Sequence, residues 1–374
     1  MKKLLKNPGV QAFIASVICI LLGLLVGYIV LLCINPEGAG ESMLNVVKNF
    51  FTWSKKAKQI KQLGNTIAKT VPLLMCSLSI LFAYKVGLFN IGAAGQYVAG
   101  ACAALYAALA WGWSWFPCVL LAIVAGAVLG AIVGILKAYC NVNEVISGIM
   151  LNWIILYTTN AVLSLVKEDA SPYTLYLDKS NPSAIIPTGG LDKLFSNNNY
   201  VTVAVPVAII LAIAVDIILN KTRFGYELRA TGNNKNAAKY AGMKENRNII
   251  VTLIIAGAMA GLAAASLYLS GYMRWECTQS SVPGMGFNGI AAAFLGGLNP
   301  IGAIFSSFFI QHITDGGQYV NTNVYCAQIS ELISSFIIYL CGFVLFIKMN
   351  MNNLINSAEN RKAKKAALKE GGDK

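Results

Sequence analysis

Long apolar runs broken by short polar stretches dominate the chain. A membrane-crossing helix needs roughly 20 mostly apolar residues. Stretches of that kind lie at about 12–34, 66–84, 91–110, 115–136, 145–166 and 200–219, ahead of a basic loop, and at about 249–270 and 327–347 after it. Between the last two, residues 287–312 are apolar but interrupted by Gly296-Gly297 and Asn299-Pro300. Proline removes a backbone donor and paired glycines add backbone freedom, so this stretch predicts a re-entrant hairpin or two short half-helices. The expected fold is all-α: a polytopic transmembrane helical bundle of about 8 full spans plus one broken or re-entrant segment, roughly 8–10 helices in all.

Composition agrees with the pattern. Of 374 residues, 56% are hydrophobic and 12% charged, half of the roughly 25% typical of a soluble domain. The net charge is +13. Its basic residues fall between apolar runs and at the two ends rather than along one surface, which argues against nucleic acid as a partner. Nine cysteines are scattered with no C-x-x-C pair, and His312 is the only histidine. A multi-histidine metal site is therefore excluded within one chain, and no metal site or catalytic residue is assigned. Lys2, Lys3 and Lys6 precede the first apolar run as in a signal peptide, but the run exceeds the usual h-region of about 7–15 residues. It is read as a retained span.

Excess lysine and arginine mark cytoplasmic segments. The loop at 220–248 carries Lys221, Arg223, Arg229, Lys235, Lys239, Lys244 and Arg247, and the tail at 348–374 carries Arg361, Lys362, Lys364, Lys365 and Lys369. Both are expected inside, as is the N-terminus at 1–11, with the transmembrane domain at 12–347 and an extracellular loop at 167–199. Parity of the crossings then requires that 287–312 not cross as a single helix. Segment 42–64 resists this scheme. It holds five lysines yet falls outside, interleaved with Met43, Leu44, Val47, Phe50, Phe51 and Trp53, a mixture that predicts an interfacial amphipathic helix.

Polar residues inside membrane segments point to function or to helix–helix ties. Asn90 and Gln96 flank glycines where a helix could open; Asn152 lies about two turns into the fifth span, and Asn288 opens the broken segment. Amide side chains both donate and accept, which suits a polar substrate that carries donors and acceptors of its own. Phe89, Trp153 and Phe287 are near enough in sequence to stack on a flat ring of a substrate. The same amides could instead tie helices together, with the aromatics against lipid. Glu144 is placed to pair with Lys137 or to cap the next helix. Asp216, Asp315 and Glu331 read as isolated carboxylates. Gly87-Leu-Phe-Asn-Ile-Gly-Ala-Ala94 echoes Gly286-Phe-Asn-Gly-Ile-Ala-Ala292, a hint of the inverted repeats from which many transporters are built.

The loop at 220–248 is the most informative stretch. Asn233 or Asn234 can cap a helix, Ala237, Ala238 and Ala241 favour one, and Gly242 suits its C-terminal end. A helix of two turns is too short to stand alone in water and needs a partner surface.

This loop resembles the coupling segment of permease subunits in ABC-type importers of the ribose, branched-chain amino acid and nucleoside group, with the strongest similarity to nucleoside-type permeases. Further stretches agree in order: Pro72-Leu-Leu, Gly87-Leu-Phe-Asn-Ile-Gly-Ala-Ala-Gly-Gln96, Asn143-Glu-Val-Ile-Ser-Gly-Ile-Met-Leu-Asn152, and Gly284-Met-Gly-Phe-Asn-Gly-Ile-Ala-Ala-Ala-Phe-Leu-Gly-Gly297 followed by Asn299-Pro-Ile-Gly302. The resemblance covers about 65–347. Two positions depart from it: Ala94 stands where such permeases usually carry Glu, and Asn234 where Asp or Glu is common. It implies ATPase-coupling contacts at Gly232, Asn233, Asn234, Ala237, Ala238, Tyr240, Ala241 and Gly242. It also implies a substrate path near Phe89, Asn90, Gln96, Asn152, Phe287 and Asn288. The implied partners are an ABC ATPase subunit, a second homologous permease in a heterodimeric pair, and a substrate-binding lipoprotein, in a bacterial cytoplasmic membrane with both termini inside. The dipeptide Gly-Lys never occurs, so the chain holds no G-x-x-x-x-G-K-[ST] phosphate loop; ATP and Mg are expected on the partner ATPase, and the chain itself is not read as an enzyme. A ribose-type sugar permease is the alternative, and an ion-coupled secondary transporter a more distant one.

Overall fold

A computed structural model describes residues 8–320, 324–325, 329–344, 346–351 and 353. Most of the N-terminal segment expected at 1–11 and most of the tail expected at 348–374 lie outside the described residues. Among the described residues the regular structure is helical, with only two isolated β-bridges. The longer helices are α1 (Pro8–Ile34), α2 (Ala39–Lys48), α3 (Lys56–Lys85), α4 (Ala93–Leu109), α5 (Trp115–Tyr139), α6 (Glu144–Leu163) and α7 (Ala204–Lys221). They continue with α8 (Arg223–Asn233), α9 (Lys235–Tyr240), α10 (Glu245–Tyr268), α11 (Met285–Leu295), α12 (Pro300–Gly316) and α13 (Ile329–Cys341).

Six described helices are long and apolar enough to cross a membrane: α1, α3, α5, α6, α7 and α10. The best apolar windows of α3 and α10 are 89% and 67% buried, whereas those of α1, α5, α6 and α7 lie between 22% and 33%. Thus α3 and α10 form the axis of the bundle, and the other four turn most of their apolar surface outward. The axis is packed through small residues. Gly126 and Gly130 of α5 meet the backbone of Gly257, Gly261 and Leu253 of α10 so closely that a Cβ on either side has no room. Backbone approach of this kind replaces hydrophobic driving force where the surroundings are as apolar as the interface.

Two sequence expectations change. The span expected at 91–110 is a helix of only 17 residues, about 25 Å long, because residues 86–92 are largely non-helical and Gly87 takes φ 76°. The segment expected at 42–64 as one amphipathic helix is two. α2 ends at Lys48, a single 3-10 turn covers Asn49–Thr52, Asn49 adopts φ 46°, and Lys56 begins α3. At 30 residues α3 measures about 45 Å, longer than a hydrocarbon core of about 30 Å, so its lysine-bearing first turns project beyond one end of the span. Residues 287–312 form the hairpin α11–α12, broken where Gly297 and Leu298 take φ 66° and 55° and the Asn299 side chain accepts from the backbone of Ile301 and Gly302. The hairpin is closed by Gly296 against Gly302 and by Ser306 Oγ donating to the Ala292 carbonyl at 2.6 Å.

Contacts sort the loops to two ends of the bundle. At one end the turn after α3 meets Gly232, Gly134 of α5 meets Ile250, and Lys137 meets Glu144. Lys348 also lies within electrostatic range of Lys85 at that end. At the opposite end Asn198 Nδ2 donates to the Lys61 carbonyl (2.9 Å), Asn181 Nδ2 to that of Ala108 (2.8 Å), and the backbone of Thr174 to that of Trp275 (2.9 Å). Loop 167–199 therefore folds as a cap, together with 269–279, at the end away from the α8–α9 loop.

Candidate functional site

Two helix starts meet inside the bundle. α4 and α11 run in opposite senses, α4 toward the capped end and α11 away from it. A Cβ on Gly286 would stand 2.5 Å from the Cα of Ala94. Ala94 is fully buried there; a glutamate at this position would press its side chain into the opposing backbone, which gives the departure at Ala94 a steric reason.

Around the start of α4 the amides form a closed network. Asn90 Nδ2 donates to Gln96 Oε1 (2.9 Å) and to Ser79 Oγ (3.2 Å), and Gln96 Nε2 donates back to Asn90 Oδ1 (3.3 Å). Asn152, from α6, accepts from the Gly95 backbone N–H (2.7 Å) and donates to the Ile91 carbonyl (3.1 Å). All three amides are at most 3% exposed. Phe89 is half-buried beside them. At the start of α11, Phe287 is 38% exposed, Asn288 is half-buried, and the Asn288 amide has no hydrogen-bond partner among the described residues. Trp153 is 43% exposed and faces away from the Asn152 network.

The second assembly is the α8–α9 loop. Thr222 caps α8 by accepting from Gly225 N (3.0 Å), and Asn234 caps α9 by accepting from Ala237 N (3.0 Å). Gly242, at φ 80°, closes α9, with Met243 N bonded to the Ala238 carbonyl and Gly242 N to that of Lys239, the paired bonds of a Schellman end. Asn233, Asn234, Ala237, Ala241 and Gly242 are exposed, and Tyr240 is 94% exposed. Ala238 is 3% exposed and faces the body of the protein; it seats α9 and presents nothing outward. Gly232 abuts Val86 and Gly87 backbone to backbone, so the loop leans on the turn that leads to Asn90.

Sequence reasoning missed a buried ion pair. Asp315, which reads as isolated, bonds Lys69 at 2.8 Å and accepts from Gln311 Nε2 at 3.0 Å, tying α12 to α3. Lys69 is a charge inside the apolar span expected at 66–84, and that was the available signal. Ser79 carried none. Glu144 pairs with Lys137 at 2.7 Å, one of the two alternatives its position allowed.

Comparison with known proteins gives these features a family. Residues 62–342 match the branched-chain amino acid transport system / permease component family. The chain belongs to that family. The permease is 30% identical to the nucleoside ABC transporter permease protein NupB of Lactococcus lactis subsp. cremoris, over 98% of this chain and 99% of that one. It is 33% identical to the guanosine ABC transporter permease protein NupP of Bacillus subtilis, over 88% of this chain and 92% of that one. It is also 28% identical to a second Bacillus subtilis guanosine permease protein, NupQ, over 65% of this chain and 77% of that one. No solved structure matches. The permease is an integral membrane transport component of the ABC importer class, and its helical bundle is the polytopic fold expected from the apolar pattern.

Proposed function

We propose that this permease is the membrane-spanning subunit of an ATP-driven importer that takes nucleosides from a substrate-binding lipoprotein and moves them inward. The observation that carries the reading is the α8–α9 loop: a six-residue helix capped at both ends, seated through Ala238, that leaves Tyr240 wholly exposed. Such a helix has no packing partner on its outer side and suits the surface of an ATPase subunit, where ATP and Mg would be bound. Similarity to nucleoside and guanosine permeases over most of the chain supports the substrate class. The occurrence of two such proteins in each of two organisms supports a pair of homologous permeases. In this reading the loop end and both termini are cytoplasmic and the capped end faces out.

Within the bundle, the path runs past Phe287 and Asn288, whose ring and amide are uncommitted. Asn90, Gln96 and Asn152, with Phe89 beside them, hold the start of α4 against which the path is formed. The decisive test is Tyr240→Ala combined with Ala241→Asp in the reconstituted complex. Uptake of labelled guanosine should fall at least tenfold while ATP hydrolysis and thermal stability stay near the parent values. Uptake at the parent rate refutes coupling through α9. Uptake of ribose in preference to guanosine by the unaltered complex would overturn the substrate class and leave the coupling intact.

A further inference from the structure

The capped end of the bundle carries a concentration of positive charge that the positive-inside pattern does not account for. Lys48, Lys55, Lys56, Lys58 and Lys61 fall within fourteen residues and all five are exposed. Among the described residues none is within ion-pair distance of a carboxylate, although Glu37 and Glu41 lie on the neighbouring turn and helix. The contacts place them opposite the α8–α9 loop, because Asn198 of the cap binds the Lys61 carbonyl and Asn65.

These lysines are set among apolar groups that also face outward. Leu44 is 57% exposed, Val47 42% and Phe51 64%. Bulk water is a poor solvent for that surface, and a hydrocarbon interior is a poor solvent for the lysines. The interface between them satisfies both, with the apolar side chains below and the ammonium groups at headgroup level. Two aromatic residues mark that level: Trp53 Nε1 donates to the Tyr319 hydroxyl at 3.1 Å, and Lys58 Nζ stands 4.3 Å from the Trp53 ring centroid. The segment is fixed to the bundle. Asn49 Nδ2 donates to the His312 carbonyl (2.8 Å), and His312 Nε2 donates to that of Val47 (2.8 Å). A rigid, cationic, interface-lying collar suits phosphate-bearing headgroups of net negative charge, since each lysine near an anionic surface strengthens association about fivefold.

We propose that Lys48, Lys55, Lys56, Lys58 and Lys61 form a binding surface for anionic phospholipid headgroups of the outer leaflet. This rests on the orientation adopted above, so the experiment has two separate arms. In the first, Ser54→Cys in an otherwise Cys-free full-length permease, co-expressed with its partners, is treated in intact cells with a membrane-impermeant maleimide. Labelling without permeabilisation supports an outer location; labelling only after permeabilisation overturns both the orientation and the outer-leaflet assignment. In the second, the assembled complex is placed in nanodiscs of equimolar phosphatidylcholine and phosphatidylglycerol, and the lipid retained on release is measured by mass spectrometry. The parent and a set of five Lys→Arg substitutions should both enrich phosphatidylglycerol. A set of five Lys→Gln substitutions should lose that enrichment at least fivefold, with coupled ATP hydrolysis retained. Equal enrichment in the Gln set overturns the proposal and leaves the transport reading untouched. Unchanged lipid retention together with lost association of the substrate-binding lipoprotein also overturns it, assigning the lysines to a protein partner.

Discussion

A Phe-Asn pair beside small residues stands ahead of α4 and another in the first turn of α11, and the two helix starts touch at Ala94 and Gly286. The surroundings of the two pairs nevertheless differ. Phe89-Asn90 lies ahead of α4, in the non-helical stretch after Gly87, so the Asn90 amide can fold back onto Gln96 in the first turn. Phe287-Asn288 lies inside the first turn of α11, where the backbone N–H of Asn288 is already bonded to the Gly284 carbonyl (2.8 Å) and the side chain projects sideways. A shift of a few residues in where the helix begins thus turns the same dipeptide from a closed brace into an open amide. A buried polar group left unpaired costs about 1–3 kcal/mol; the buried amides at α4 are all paired, while the half-buried amide at α11 has no hydrogen-bond partner among the described residues.

The comparison can be broken most forcefully at Asn152. Asn152→Leu removes the partners of both Gly95 N–H and the Ile91 carbonyl, at about 1–3 kcal/mol for each group left unpaired. The midpoint of thermal denaturation in detergent should drop clearly, and expression with it. A melt indistinguishable from the parent would falsify the brace.

A methyl group at the contact between the two starts comes next. Gly286→Ala places a Cβ against backbone at Ala94, where overpacking costs about 1–3 kcal/mol. Lower stability and reduced uptake should appear together. Normal values for both would mean that the two starts separate freely, and their contact would then define nothing.

The smallest effect on stability, and the most telling, is expected at Asn288. Asn288→Ala removes no hydrogen bond among the described residues, so stability should change by no more than about 0.5 kcal/mol. Uptake of guanosine should weaken roughly two- to tenfold, the value of one hydrogen bond of about 0.5–1.5 kcal/mol. Lost stability with intact specific uptake would make the α11 start a second brace and erase the contrast. Asn90→Ala is the matched control: a destabilised protein whose surviving fraction binds substrate normally.

Much of this architecture is legible in the chain itself. Runs of about 20 apolar residues must hold their backbone hydrogen bonds internally and so form helices. Gly296-Gly297 and Asn299-Pro300 must interrupt one, and Asn234 and Gly242 frame a short helix wherever they are placed. Those outcomes depend on local chemistry and composition, which the sequence carries in full. Which amides are satisfied depends instead on partners distant in the chain. Asn152 finds Gly95, 57 residues away, and Lys69 finds Asp315 at a separation of 246. The same holds for Ala238, which belongs to an exposed, alanine-rich stretch yet faces inward, and for the lysines of 48–61, whose end of the bundle is set by Asn198. An apolar pattern specifies how much surface each helix must bury. Only packing against the other helices decides which face is buried and which polar groups meet there.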